Sequence, residues 1–405
     1  MAEIPAILIL AGLAAYSILA GADFGAGLWT LLARPGRMSA EATRDHARHA
    51  MGPVWEANHV WLIFVLVVCW TAYPEAFGSI FSTLPIPLFV AALGIILRGT
   101  TYALRGQLDD ARGRRAIENL FALSSILTPF ALGTVIGAIA AGRVPVGNAK
   151  GGLWSSWTGT TSLMIGALAV VTGAYLAAVY LSADARRSGA RTVELDFRDR
   201  ALVAGIVAGA LALCGLLVVR DDVRPLWDGL TGGWGLAMVA VSAVAGVVSL
   251  VLVRRSAFEP ARYTAALAVV AIVAGWGIAQ QPRLLPGLTI DQAAAGHTTL
   301  VTVVVGAVIG AAVLVPSLVV LFRLFLRGRL DAGAGPDFHL FELPRDAAQP
   351  DTRRLAALAV VGLVIGFGAT VFIAPDWGRV LGVPALLAGA LATFGLATAS
   401  LGEEG

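Results

Sequence analysis

Charge is scarce in this chain of 405 residues: 14% are Asp, Glu, Lys or Arg, against 58% from the hydrophobic set. With a mean hydropathy of +0.80, that balance excludes an ordinary water-soluble globular fold, in which about a quarter of residues are charged. Cysteine is almost absent. The only two, Cys69 and Cys214, lie inside apolar runs and match no redox, cofactor-attachment or zinc spacing, so both are expected to be small buried packing residues. There is no Walker sequence, nucleophile elbow, zinc-binding His pair or dinucleotide fingerprint in a suitable context, so soluble-enzyme chemistry finds no support. The formal net charge is only +3. The arginines fall in connecting segments rather than in a continuous patch, which argues against a nucleic-acid partner. The first residues, Met-Ala-Glu-Ile-Pro, lack a basic leader, and no clear cleavage site follows the first apolar run, so that run is expected to stay as a helix.

What the chain does have is long apolar runs. A hydrocarbon core about 30 Å thick needs roughly 20 apolar residues per helix, and runs of that kind recur from one end to the other. The expected spans are 5–32, 53–73, 79–104, 118–141, 159–181, 201–219, 232–253, 263–279, 297–326, 355–373 and 380–401. The fold class is therefore an all-α polytopic membrane protein with about 11 transmembrane helices. The longest polar linker, about 328–354, separates the first nine spans from a final hairpin.

Orientation follows from the basic residues, because Lys and Arg near helix ends are retained on the cytoplasmic side. Of the 29 Lys and Arg, 22 belong to the odd-numbered connections and 6 to the even-numbered ones, the remaining residue being Arg98 inside the third span. This places the N-terminus outside and, with eleven spans, the C-terminus outside as well. The expected outer loops carry Trp154, Trp157, Trp227, Trp234 and Trp377, as rings anchoring at headgroup level would. Gly-x-x-x-Gly pairs at 21/25, 133/137, 306/310 and 362/366 allow close helix approach.

Ionisable groups at membrane depth are costly and demand a partner or water, which singles out Asp23, Glu56 and Arg98, all expected in the cytoplasmic third. Glu56 and His59 are three residues apart and share a helix face, with Asn58 as a polar neighbour. One reading is a proton pathway from the cytoplasm through Glu56, Asp23, His59 and Asn58, with Glu56 as the switchable carboxyl. The other is a structural ion pair, Arg98 with Asp23 or Glu56, that pins the first three helices together. His46 and His49 in the first basic loop and His339 in the linker read as solvated surface, and His297 as a capping or interfacial residue at the outer end of the ninth span. No metal site is expected and no catalytic residue is assigned.

Four stretches carry a family resemblance: Gly21-Ala-Asp-Phe-Gly-Ala-Gly27, Gly52-Pro-Val-Trp-Glu-Ala-Asn-His-Val-Trp-Leu62, Tyr73-Pro-Glu-Ala-Phe77 and Leu97-Arg-Gly-Thr-Thr-Tyr-Ala-Leu-Arg105. In order and spacing they resemble subunit II of the cytochrome bd ubiquinol oxidases, and Leu285-Pro-Gly-Leu-Thr-Ile-Asp291 leading into 298–316 is similar to that family's last paired region.

The resemblance covers roughly residues 1–330. It implies a bd oxidase subunit II-like membrane domain over 1–330, a cytoplasmic linker over 331–354 and an additional transmembrane hairpin over 355–405. Within the first part it implies two four-helix bundles plus a peripheral helix.

It further implies a haem-free subunit of an electrogenic quinol:oxygen oxidoreductase in a bacterial plasma membrane. The partners would be a haem-bearing subunit I with b- and d-type haems, membrane lipid and quinone, a structural quinone in this chain being a further candidate. The family assigns a carboxylate in a Trp-Asp-Gly-Asn motif to a proton channel, and its position here is Glu56. This chain departs from that pattern with Trp55-Glu-Ala-Asn-His-Val-Trp61, which marks a divergent branch. The rival from another class is a proton-coupled secondary transporter built around Asp23, Glu56 and Arg98, and a purely structural membrane scaffold is a third.

Overall fold

The computed structural model describes residues 1–33, 40–104 and 111–326, with scattered residues between 357 and 392; the side chains of 40, 41, 45, 48–57, 102–104, 111–119 and 321–326 lie outside the described set. The chain divides into two compact units, Met1–Arg327 and Gly328–Gly405. In the second, Gly362 meets the backbone of Gly389 and Ala385 so closely that a Cβ on it would lie 2.7 and 2.8 Å from them.

The first unit is built of helices, as a bilayer requires: only a helix satisfies every backbone N–H and C=O within one crossing segment. In chain order they are α1 (Glu3–Leu31), α2 (Ala40–Ala72), α3 (Pro74–Thr83), α4 (Pro85–Leu104), α5 (Ala111–Ala140), α6 (Thr160–Arg187) and α7 (Arg191–Asp222). Then come α8 (Arg224–Thr231), α9 (Gly233–Arg254), α10 (Phe258–Gln280), a small hairpin of β1 (Arg283–Leu285) and β2 (Leu288–Thr289), α11 (Ile290–Ala293) and α12 (His297–Leu326). Among the described residues seven of these, α1, α5, α6, α7, α9, α10 and α12, are long and apolar enough to cross a membrane. The end of α2 and α3 form an eighth crossing if taken together, although they are bent by 119° at Tyr73, where Pro74 opens the new helix. The stretch expected as one helix from 79 is thus two, because Leu84 leaves helical geometry before Pro85.

At the arginine-rich end helices run well past the apolar limits. Helix α2 begins at Ala40 rather than 53, and α7 at Arg191 rather than 201. Hydropathy marks where lipid ends, whereas Ala, Arg and Glu continue a helix into water.

Small residues set the packing. A Cβ on Gly25 would lie 2.0 Å from the Gly173 carbonyl oxygen, so α1 and α6 touch backbone to backbone. Gly133 and Gly137 do the same for α5 against Gly166 and Ser162 of α6, and Gly94 makes room for Thr128 between α4 and α5. The main core joins α1, α6, α7, α9 and α10 through Ala22, Trp29, Leu176, Leu181, Phe197 and Phe258. On the outer surface α7, α9 and α12 present rows of Val, Ile and Leu, the composition lipid requires. Cys214 belongs to that exposed surface and Cys69 is half-buried, correcting the expectation that both are core residues: on helices surrounded by lipid, an apolar run need not face protein.

The two ends of the bundle differ. At the arginine-rich end Asp184 accepts from Arg187 and, at 3.1 Å, from Arg262, while Arg187 reaches Glu259 at 3.2 Å, joining α6 to α10. His46 also lies here, 3.0 Å from the Leu181 carbonyl and packed on the Phe197 ring, so it is a helix tether rather than solvated surface. The side chain of His49, and all of His339, lie outside the described residues. At the opposite end Asp222 accepts from Arg143 at 3.0 Å and Thr161 at 2.6 Å. There Ala295 N–H donates to the Ala72 carbonyl at 2.8 Å and the Tyr73 hydroxyl donates to the Ala2 carbonyl. Trp154 and Trp234 are 60% and 76% exposed at this end, and Trp377 lies outside the described residues. His297 is exposed at the start of α12.

Candidate functional site

The stretch Ala22–Gly27 of α1 is buried all round, a condition that glycine and alanine make possible by letting helices close in from several sides. Helix α6 approaches at Gly21 and Gly25. On another side stands Asp23, 1% exposed, about 12 Å along the axis from the α1 C-terminus at a rise of 1.5 Å per residue. Arg98, which is 0% exposed, reaches it from α4.

The pairing is bidentate. Arg98 Nη2 donates to Asp23 Oδ1 at 2.6 Å and Nε donates to Oδ2 at 3.0 Å, while Nη2 also donates to the Asp23 carbonyl at 2.9 Å. Asn58 of α2 adds a fourth hydrogen bond, Nδ2 to Asp23 Oδ2 at 3.3 Å. The remaining side of the guanidinium is held by Ser125 of α5, whose Oγ accepts from Nη1 at 2.7 Å and itself donates to the Phe121 carbonyl at 2.7 Å. The Phe24 and Phe121 rings flank the cation at 4.9 and 4.1 Å. Four helices therefore converge on one neutral charge pair. The room for it comes from Gly27, one turn beyond Asp23: a Cβ there would lie 1.9 Å from Ser125 Oγ and 3.2 Å from Arg98 Nη1.

Fork-on-fork geometry is the strongest form of such a contact, and it is needed here, because two charges taken out of water recover the desolvation cost only with near-complete hydrogen bonding. Both carboxylate oxygens of Asp23 are engaged. Oδ1 takes one of these bonds and Oδ2 two, so the pair ties α1, α2 and α4 together at this depth.

Of the residues singled out by sequence, Asp23, Asn58 and Arg98 come together, and Asp23 is the acid that Arg98 holds. His59, half-buried, follows Asn58 on α2. The side chain of Glu56 lies outside the described residues; its backbone belongs to α2, two positions before Asn58. Ser125, Phe121, Phe24 and Gly27 were not found by sequence reasoning. Ser125 gives no signal, since a serine in a membrane helix commonly bonds its own backbone, whereas Gly27 was visible as the end of the Gly-rich stretch. Among the described residues no three His, Cys, Asp or Glu side chains are grouped closely enough to hold a metal ion.

Fold and site together define a polytopic all-α membrane protein whose early helices are pinned by a buried Arg–Asp pair near its arginine-rich end. Residues 1–325 match the family of cytochrome bd terminal oxidase subunit II, and the chain belongs to that family. It is similar to cytochrome bd ubiquinol oxidase subunit 2 of Bacillus subtilis (strain 168), 27% identical over 129 residues, or 32% of this chain and 37% of that one. It is also similar to cytochrome bd-I ubiquinol oxidase subunit 2 of Escherichia coli (strain K12), 23% identical over 308 residues, or 69% of this chain and 80% of that one. The match thus spans little more than a third of the first relative's length and four fifths of the second's. In fold it is similar to a chain of the bd oxidase from Geobacillus thermodenitrificans, with a TM-score of 0.63 and 24% identity, covering 80% of this chain and 98% of that one.

Proposed function

We propose that this chain is the haem-free second subunit of a bd-type quinol:oxygen oxidoreductase, supporting a haem-bearing subunit I and supplying it with protons from the cytoplasm. The observation that carries the reading is the family match over residues 1–325. The site adds a division of labour. Asp23, held by Arg98 and Asn58, anchors the inner part of the pathway, and Glu56 is its switchable carboxyl, with His59 one turn on along the same helix. On this reading the arginine-rich end faces the cytoplasm, the N-terminus is outside, and the complex is electrogenic in a bacterial plasma membrane. The b- and d-type haems belong to the partner, and any quinone in this chain is a structural lipid. The eleven-span count, with a hairpin at 355–401 beyond two four-helix bundles and a peripheral helix, belongs to the same proposal.

The transporter reading calls for a matched pair of discontinuous helices pointing at the charges. Among the described residues the sharply bent pair is α2 with α3, and its break at Tyr73 lies beside Ala2, at the end opposite Asp23.

The test is Glu56→Gln in the assembled complex. Loss of a general acid or base lowers rates by about 10²- to 10⁴-fold, so quinol-dependent oxygen uptake should fall by at least the lower end of that range while the haem spectrum stays intact. Unchanged uptake would remove the proton pathway and leave the subunit assignment standing.

A further inference from the structure

Among the described residues, two buried polar atoms beside the Arg–Asp centre have no hydrogen-bond partner: Asn58 Oδ1 and Trp61 Nε1. Their orientation is set by chemistry. An ionised Asp23 only accepts, so the Asn58 amide must turn its nitrogen toward Oδ2, where it lies at 3.3 Å. The amide oxygen is thereby left facing away from Asp23, needing a donor. Three residues on along the same face of α2, the Trp61 indole packs against Tyr16, Ala20 and Phe24 of α1 and needs an acceptor. One group lacks a donor and the other an acceptor, at a single turn's separation, in a region where an unsatisfied polar atom is destabilising.

We propose that a single ordered water bridges them, accepting from Trp61 Nε1 and donating to Asn58 Oδ1. Buried waters typically hold about three such bonds, so its second O–H is free for a helix carbonyl. The result is a continuous polar belt across four helices: Trp61, water, Asn58, Asp23, Arg98, Ser125 and the Phe121 carbonyl. Neither an amide nor an indole gives up its proton in the physiological range, so the belt does not conduct. The water is a positioning element that satisfies the Asn58 amide in the orientation Asp23 already imposes and so supports the bond to Oδ2. This inference is independent of the oxidase reading, since it concerns helices α1, α2, α4 and α5 alone.

The test is infrared difference spectroscopy on the full chain, purified in its native lipid with whatever subunits accompany it, in H₂O and in H₂¹⁸O. Wild type minus Trp61→Phe should show a water O–H stretching band that shifts with ¹⁸O, and wild type minus Asn58→Leu should show the same band. Trp61→Phe keeps the ring's bulk, so its arm stands even if Asn58→Leu fails to fold. No ¹⁸O-sensitive band in the Trp61→Phe difference overturns the bridge. So does a band lost with Trp61 and retained in folded Asn58→Leu, which would mean a water held by the indole alone.

Discussion

At the scale of single residues, the Arg98–Asp23 pair behaves as one neutral object, and its energetics differ for halves and for the whole. Removing one partner leaves a bare charge among Phe24, Phe121 and Ser125, a loss of about 3–5 kcal/mol, whereas replacing both with apolar residues of similar volume is often close to neutral. Asp23→Leu and Arg98→Met should therefore each lower the thermal midpoint of the detergent-solubilised chain sharply, and the double variant should recover much of that loss. A double variant less stable than both singles would show that the charges do more than cancel one another. The pair was legible in sequence because a charge in an apolar run is conspicuous. The choice between Asp23 and Glu56 as the partner of Arg98 was not, since it depends on how α1 and α4 are rotated, which is fixed by side-chain volumes on neighbouring helices. Ser125 was invisible for the same reason, its importance arising only when α5 brings it within 2.7 Å of the guanidinium.

At the scale of elements, the helices hold together where side chains are missing. Without a hydrophobic drive between helices already in lipid, association rests on close van der Waals contact, and Gly25 against Gly173 is a case of backbone on backbone, with 2.0 Å left for a Cβ. Gly25→Ala should separate α1 from α6 and lower assembly of the chain in membranes, measured as the folded fraction by size-exclusion in mild detergent. Gly209→Ala is the matched control. Nothing lies within 4 Å of a Cβ at that position on α7, so the substitution should be neutral or slightly stabilising through helix propensity. Equal losses at both sites would contradict the packing account. Most of the membrane-crossing elements could be read from hydropathy because bilayer thickness dictates their length. Their ends could not, because α2, α5 and α7 continue as helix beyond the lipid, and neither could the break at Leu84, because Pro85 is compatible equally with a helix start and with a kinked continuation.

At the scale of the whole molecule, the unequal distribution of arginine gives the bundle a direction. The ion pairs of Asp184, Arg187, Glu259 and Arg262 gather at one end and the exposed Trp154 and Trp234 at the other. Single cysteines replacing Lys150 and Ser188 test that direction. An impermeant thiol reagent added to intact cells should label Lys150→Cys and leave Ser188→Cys unlabelled until the membrane is opened, and the reverse pattern would invert the topology. The role of the chain within an assembly has a more direct test, because haems in a co-purified partner are visible by their absorption. Purified from its native membrane through an affinity tag, the chain should bring with it a second polypeptide showing b- and d-type haem absorption bands and quinol-dependent oxygen uptake. A single colourless polypeptide that carries a solute across vesicle membranes would contradict the account.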